Sequence, residues 1–171
     1  MRVMAALVVL SGCAAATPYM PLAVGNTWMY AVTSPEGAGR LELRINALDD
    51  RGFAMTEPDG RIAHWRIEDG YLVLDRGREI IPFFEVPART GVSWSFTGED
   101  EKTYYIKVRG YEDVEVPAGR FARCLAVSLE DDGRSKTALF HFARGVGMVR
   151  REQAGETGRV LIELERHGFS E

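Results

Sequence analysis

Arg40-Leu41-Glu42-Leu43-Arg44-Ile45-Asn46-Ala47 alternates polar and apolar side chains without a fault over eight residues. Successive side chains of a strand point to opposite faces, so this stretch predicts a half-buried β-strand with one wet face. The same period recurs to either side. Tyr104, Ile106 and Val108 alternate with Tyr105, Lys107 and Arg109. Leu125, Val127 and Leu129 form a third set, and Val160, Ile162 and Leu164 a fourth. Turn signals separate them: Ser34-Pro35-Glu36-Gly37, Asp49-Asp50-Arg51-Gly52, Pro58-Asp59-Gly60, Glu68-Asp69-Gly70, Asp131-Asp132-Gly133 and Gly155-Glu156-Thr157-Gly158. Short strands joined by such turns, with no long helical stripe between them, predict an all-β antiparallel meander of about nine to eleven strands.

The composition suits one such domain. The chain has 171 residues, 46% hydrophobic and 27% charged, which is globular and neither disordered nor fibrous. A net charge of −4 leaves no positive excess to neutralise phosphates, which argues against nucleic acid as a partner. Two cysteines are too few for a disulfide framework or a Cys-built zinc site.

The first dozen residues differ from the rest. Met1-Arg2 precedes the apolar run Val3–Leu10, an export signal too short to anchor in a bilayer by itself. Leu10-Ser11-Gly12-Cys13 resembles the lipobox of bacterial lipoproteins, where a diacylglycerol is joined to the cysteine sulfur and the chain is cut just before it. This implies a cleaved helical signal peptide at 1–12, then lipidated Cys13 and a tether at 13–20, then a single β-domain at 21–169. Acyl chains on Cys13 would fasten the protein to a membrane, at about 0.8 kcal/mol per buried methylene. Ala14 is not the aspartate that resembles an inner-membrane retention signal. The expected address is therefore the cell envelope, and the periplasmic face of the outer membrane where the source has one. Seven steps from Cys13 to Met20 reach roughly 25 Å at about 3.5 Å each, so the body is expected close to the headgroups.

Two segments echo each other 66 residues apart. Pro21–Tyr30 and Pro87–Phe96 share the form P-x3-G-x2-W-x-aromatic, which reads as a Pro/Gly-shaped lead-in to a strand carrying Trp28 or Trp94 on one face. Core packing is the first reading of these tryptophans, ligand stacking the second. Val116-Pro117-Ala118-Gly119 reads as a tight reversal into the Cys124–Val127 strand. Gly145-Val146-Gly147 lacks the strand-then-helix setting of a phosphate loop and reads as a hairpin or bulge.

The combination PLxxGNxWxY at 21–30, VPAGxFxxCxxV at 116–127 and GVGMV at 145–149 resembles a group of poorly characterised bacterial lipoproteins and exported proteins. Their fold is similar to that of the lipoprotein-localisation factors LolA and LolB. The resemblance implies a strongly curved antiparallel sheet or half-open barrel. The helical lid of the localisation factors is not evident in this sequence, and no catalytic residue carries over.

The residues themselves offer little chemistry. His64, His141 and His167 lack metal-ligand spacing, and no serine sits in a G-x-S-x-G elbow. Asp49-Asp50, Glu99-Asp100-Glu101 and Asp131-Asp132 fall in predicted turns without the alternating ligands of a calcium loop. Cys124 is expected as a buried lone thiol, with a thiol enzyme as the residual reading should His141 lie beside it. Arg144, Arg150, Arg151 and Arg159 read as the wet face of the last strands, with anionic headgroups as the other reading. The expectation is thus a lipid-anchored, non-enzymatic domain with no metal and no cofactor beyond the lipid on Cys13. It binds an apolar ligand or lipid in the concavity of its sheet; the alternative is a structural module offering its surface to an envelope protein. Trp28, Trp94, Phe83, Phe84, Phe140 and Phe142 are the candidate lining residues, and equally candidates for plain core.

Overall fold

A computed structural model describes residues 19–133, 137–155 and 158–170. The leader, Cys13 and the tether to residue 18 lie outside the described residues. Twelve strands follow one another: β1 (Thr27–Ser34), β2 (Gly37–Asp49), β3 (Gly52–Thr56), β4 (Ile62–Glu68), β5 (Tyr71–Asp75), β6 (Ile80–Glu85), β7 (Ser93–Thr97), β8 (Thr103–Val116), β9 (Gly119–Asp131), β10 (Thr137–Ala143), β11 (Gly147–Gly155) and β12 (Gly158–Gly168). All pairings are antiparallel, in one sheet ordered β6-β5-β4-β3-β2-β1-β12-β11-β10-β9-β8-β7. The all-β meander is as expected, with more strands than the expected nine to eleven. The excess comes from five-residue strands such as β3, GFAMT, too short and too evenly apolar to show a clear alternation.

The long β2 is where the sheet turns on itself. Residues 37–44 pair with β1, whereas Ile45 to Asp49 pair with β3. Between the two, Asn46 is the extra residue of a bulge, and its Nδ2 donates to Thr56 Oγ1 at 2.9 Å. A bulge bends its strand and tightens the local twist. Ile45, fully buried, fills the inside of the bend. Strands β3 to β6 consequently lie across the face made by β1 and β8–β12. Phe83 and Phe84 of β6 meet Phe140 and Phe142 of β10 at ring-centroid distances of 5.2 Å for Phe83–Phe140 and 5.1 Å for Phe84–Phe142.

Neighbours on a regular strand cannot both face inward. Leu72 pairs with Phe84 but Val73 with Pro82, so Phe83 is an inserted residue, and the bulge turns both rings into the core. The two edge strands, β6 and β7, share no ladder. Their contact is Trp94 Nε1 donating to Pro82 O at 2.7 Å, with Tyr71 packed edge-on to the indole at 5.4 Å. The barrel is therefore nearly closed, with one seam left open.

The turns sort to two ends. The β1–β2, β3–β4, β5–β6 and β7–β8 turns lie at one end, while the N-terminal segment, the C-terminus and the β10–β11 turn lie at the other. This second end is plugged. The far half of the β8–β9 hairpin extends past its neighbours and folds back, burying Val114 and Val116. At its tip, the two-residue turn Pro117–Ala118 sends the Ala118 N–H to Leu164 O at 2.8 Å, beside the bulge at Glu165 in β12. Gly147 closes the β10–β11 turn with φ +103°; a Cβ there would meet Trp28 Nε1 at 3.1 Å, so glycine is required twice over.

Phe142 touches both Phe83 and Phe84 and is fully buried. Phe142→Ala is expected to cost about 3–5 kcal/mol, read as a lower midpoint in urea unfolding. A cost under about 1 kcal/mol would contradict the packing described.

Candidate functional site

The folded-over sheet leaves its interior incompletely filled. One chamber of about 330 Å³ lies between the two halves, lined by Trp28 and Tyr30 of β1, Leu41 and Leu43 of β2, Trp65 of β4, Phe83 of β6 and Phe140 and Phe142 of β10, among others. A second, of about 210 Å³, lies toward the open seam against Ile81, Phe96, Tyr104 and Leu129. The two share Arg76, Phe83, Phe140 and Arg151, which form the neck between them. The larger volume falls at the small end of the range for ligand pockets, about 300–1,000 Å³.

The polar ends of the two β1 aromatics are tied back into the wall. Trp28 Nε1 donates to Val146 O at 2.6 Å, and the Tyr30 hydroxyl donates to Met148 O at 2.9 Å. Burial pushes the Tyr30 phenol well above its ordinary pKa, so it stays protonated. With these groups satisfied, both rings offer their apolar surface to the chamber. Met20 closes the chamber at the plugged end.

The open end is charged. The β3–β4 turn brings Glu57, Pro58, Asp59 and Arg61 to the rim. Arg76 donates to Glu57 Oε1 through Nη2 at 2.6 Å and pairs with Glu79 at 3.4 Å; Arg61 pairs with Asp59 at 2.6 Å. Arg151 points inward from β11, its guanidinium over the Phe140 ring at 5.3 Å and its Nη2 donating to Gln153. The adjacent Arg150 points outward, to Glu152 at 2.9 Å, and Arg159 also pairs with Glu152. The reading of Arg151 as part of a wet face is thus corrected, because consecutive strand residues face opposite ways. Of the four basic residues, Arg144 lies in the β10–β11 turn at the end from which the N-terminal segment leaves.

The six candidate lining residues separate. Trp28, Phe83, Phe140 and Phe142 line the larger chamber. Phe84 is core, packed between Phe142 and Tyr19, and Trp94 sits at the seam. Cys13 lies outside the described residues. Trp65, Arg76 and Glu57 were missed: Trp65 lies in a short strand without clear alternation, and no local pattern distinguishes Arg76 and Glu57 from solvated turn residues.

The other titratable groups are structural. His64 and His141 face carboxylates outside both chambers, each with Nε2 at 3.0 Å from Asp49 or Glu112. Asp49 also accepts the Arg51 N–H at 2.9 Å, and Asp100 accepts the Tyr104 hydroxyl at 2.9 Å, so these acids hold turns. Cys124 pairs across β8–β9 with Glu112, while His141 sits opposite Ala126, and the His141 ring is committed to Glu112. The Cys124 thiol is fully buried and donates weakly to Phe121 O at 3.5 Å. Burial first, and the Asp113 charge second, push it up to about 11.

The same fold occurs in two crystal structures. One, provisionally described as an exported protein with YmcC-like fold from Bacteroides fragilis, is 14% identical, with a TM-score of 0.56 over 90% of this chain and all of that one. The other, provisionally described as a lipoprotein from Parabacteroides distasonis, is 15% identical, with a TM-score of 0.50 over 89% and 99%. At such identity the likeness is one of fold. No protein-family model and no curated protein matches the chain.

A thiol held near pKa 11 is almost wholly protonated at pH 8. Cys124 in the folded protein is expected to react with a thiol-specific dye at least about a hundredfold more slowly than in denaturant. Fast labelling of the folded form would reinstate a reactive thiol.

Proposed function

We propose that the chain is a lipid-anchored, non-enzymatic protein of the bacterial envelope that binds an apolar ligand or lipid inside its folded-over sheet. The observation that carries this reading is the chamber of about 330 Å³ with aromatic and aliphatic walls, closed at one end and ringed by charge at the other. A domain of this size with so many large side chains has the means to fill its interior, and here it does not.

The anchor reading rests on the lipobox-like Leu10-Ser11-Gly12-Cys13. It accords with the position of Tyr19, which enters at the plugged end beside Tyr111 and Arg144. Val24, Tyr111 and Phe169, all exposed at that end, suit contact with a headgroup layer. The short tether and these side chains then set the plugged end on the membrane and the charged mouth away from it. With Ala14 after the cysteine, the periplasmic face of the outer membrane is the proposed site in a diderm source. Kinship with the lipoprotein-localisation factors is part of the same proposal, with strands β3 to β6 covering the concave face in place of a helical lid.

Native mass spectrometry of the mature chain, residues 13–171 with Cys13→Ser so that no anchor is attached, is expected to show added mass from a fatty acid or phospholipid. A clean apo mass that stays apo on incubation with lipid favours the alternative, a module that presents its surface to an envelope protein. For the anchor, cells fed radiolabelled palmitate are expected to label the wild-type chain and not Cys13→Ser; an unlabelled wild type refutes it.

A further inference from the structure

The neck between the two chambers carries a charge that no carboxylate among the described residues pairs with directly. Of the three arginines described along the chambers, Arg61 has Asp59, and Arg76 has Glu57 and Glu79. Among the described residues, Arg151 has only the amide oxygen of Gln153 and the face of Phe140. Its Nε is shut off from solvent with no partner among the described residues. Burial and the nearby Arg76 charge lower its pKa, and Glu57 offsets part of that. A guanidinium nevertheless stays charged at any physiological pH. An uncompensated cation out of water is costly, and proteins retain one chiefly where an anion comes to meet it.

Two neighbours narrow the chemistry. Trp65, which lines the same chamber, has a buried Nε1 with no acceptor among the described residues. Glu57 and Glu79 limit the charge that the neck accepts, because a dianion would face both carboxylates. The volume limits the tail: about 330 Å³ of apolar space suits one hydrocarbon chain and not the two of a diacyl lipid.

We infer that the chamber takes a single-chain amphiphile with a monoanionic head, its tail among Trp28, Trp65 and Phe142 and its carboxylate or phosphodiester against the Arg151 guanidinium. This rests on the reading that the concavity binds an apolar ligand, and adds to it the identity of the head and the residue that selects it. The planar fork of arginine matches either anion through paired hydrogen bonds.

The test uses tryptophan fluorescence, since Trp28 and Trp65 line the chamber. The mature chain with Cys13→Ser is titrated with palmitate, lysophosphatidylglycerol, methyl palmitate and monopalmitoylglycerol, each below its micelle concentration. At least one anion is expected to bind about ten- to a hundredfold tighter than the neutral pair. Which anion wins separates a free fatty acid from a lysophospholipid. Arg151→Gln is expected to abolish the preference, bringing the anions down to the affinity of the neutral pair. Its melting temperature is expected to be no lower, since an unpaired buried charge is removed. Equal binding of charged and neutral ligands, or a preference that survives Arg151→Gln, overturns the inference and leaves the apolar-cavity reading intact. Binding of none of the four overturns that reading itself. Should Arg151→Gln not fold, palmitate against methyl palmitate on the unsubstituted chain decides the matter, because the two share one tail and differ in the charge and a single methyl group.

Discussion

Four phenylalanine rings hold the molecule shut. Phe83 and Phe84 come from one edge of the sheet and Phe140 and Phe142 from a strand near the other, and their edge-to-face contacts join regions that share no backbone ladder. Each such ring buries on the order of 150–250 Å², and aromatic pairs add about 0.5–1.5 kcal/mol beyond that area. Without this cluster, β3 to β6 would have an apolar face and nothing to lay it against. The bend at Asn46 aims those strands, the bulge at Phe83 arms them with two rings, and the chambers are what remains between the rings and the far wall. The cavity and the hydrophobic core are here the same object, filled on one side and left short on the other.

The two halves of the chain are variations on one plan. Each opens on a Pro/Gly lead-in, a Trp strand and a long second strand, β2 in one half and β8 in the other. Each tryptophan donates its indole N–H to a backbone carbonyl, Trp28 to Val146 and Trp94 to Pro82. The halves differ in what the long strand does next. β2 bends at its bulge and carries four strands across the concave face, whereas β8 runs on with β9 into a folded-back arm that plugs one end. One repeat supplies the cover and the other the stopper.

Strands whose wet and dry faces differ were legible in the sequence, which is why the Arg40–Ala47 alternation, and with it the all-β class, could be read directly. Short strands buried on both faces were harder. Tyr71–Asp75 carries no period at all, because both sides of β5 are covered. The candidate lining was half visible. Large aromatics mark the interior, but whether a ring lines a space or fills it depends on bulges, and an inserted residue has no signature in a list of letters. Hence Phe83 lines the chamber while its neighbour Phe84 is plain core. Arg151 was misread for a simpler reason: two adjacent arginines on a strand cannot share a face, so one of the pair had to point inward. What no local pattern could show is the pairing of β1 with β12, which brings the first and last strands together.

The seam between β6 and β7 has a mechanical meaning. In a fully laddered barrel the circumference is quantised, because widening it means breaking a row of hydrogen bonds or slipping a register. Here a single indole-to-carbonyl bond spans the join, and Pro82 leaves that edge with one N–H fewer to pair. The hoop is split. Widening it at the split would break no backbone ladder and would leave the other eleven joints intact.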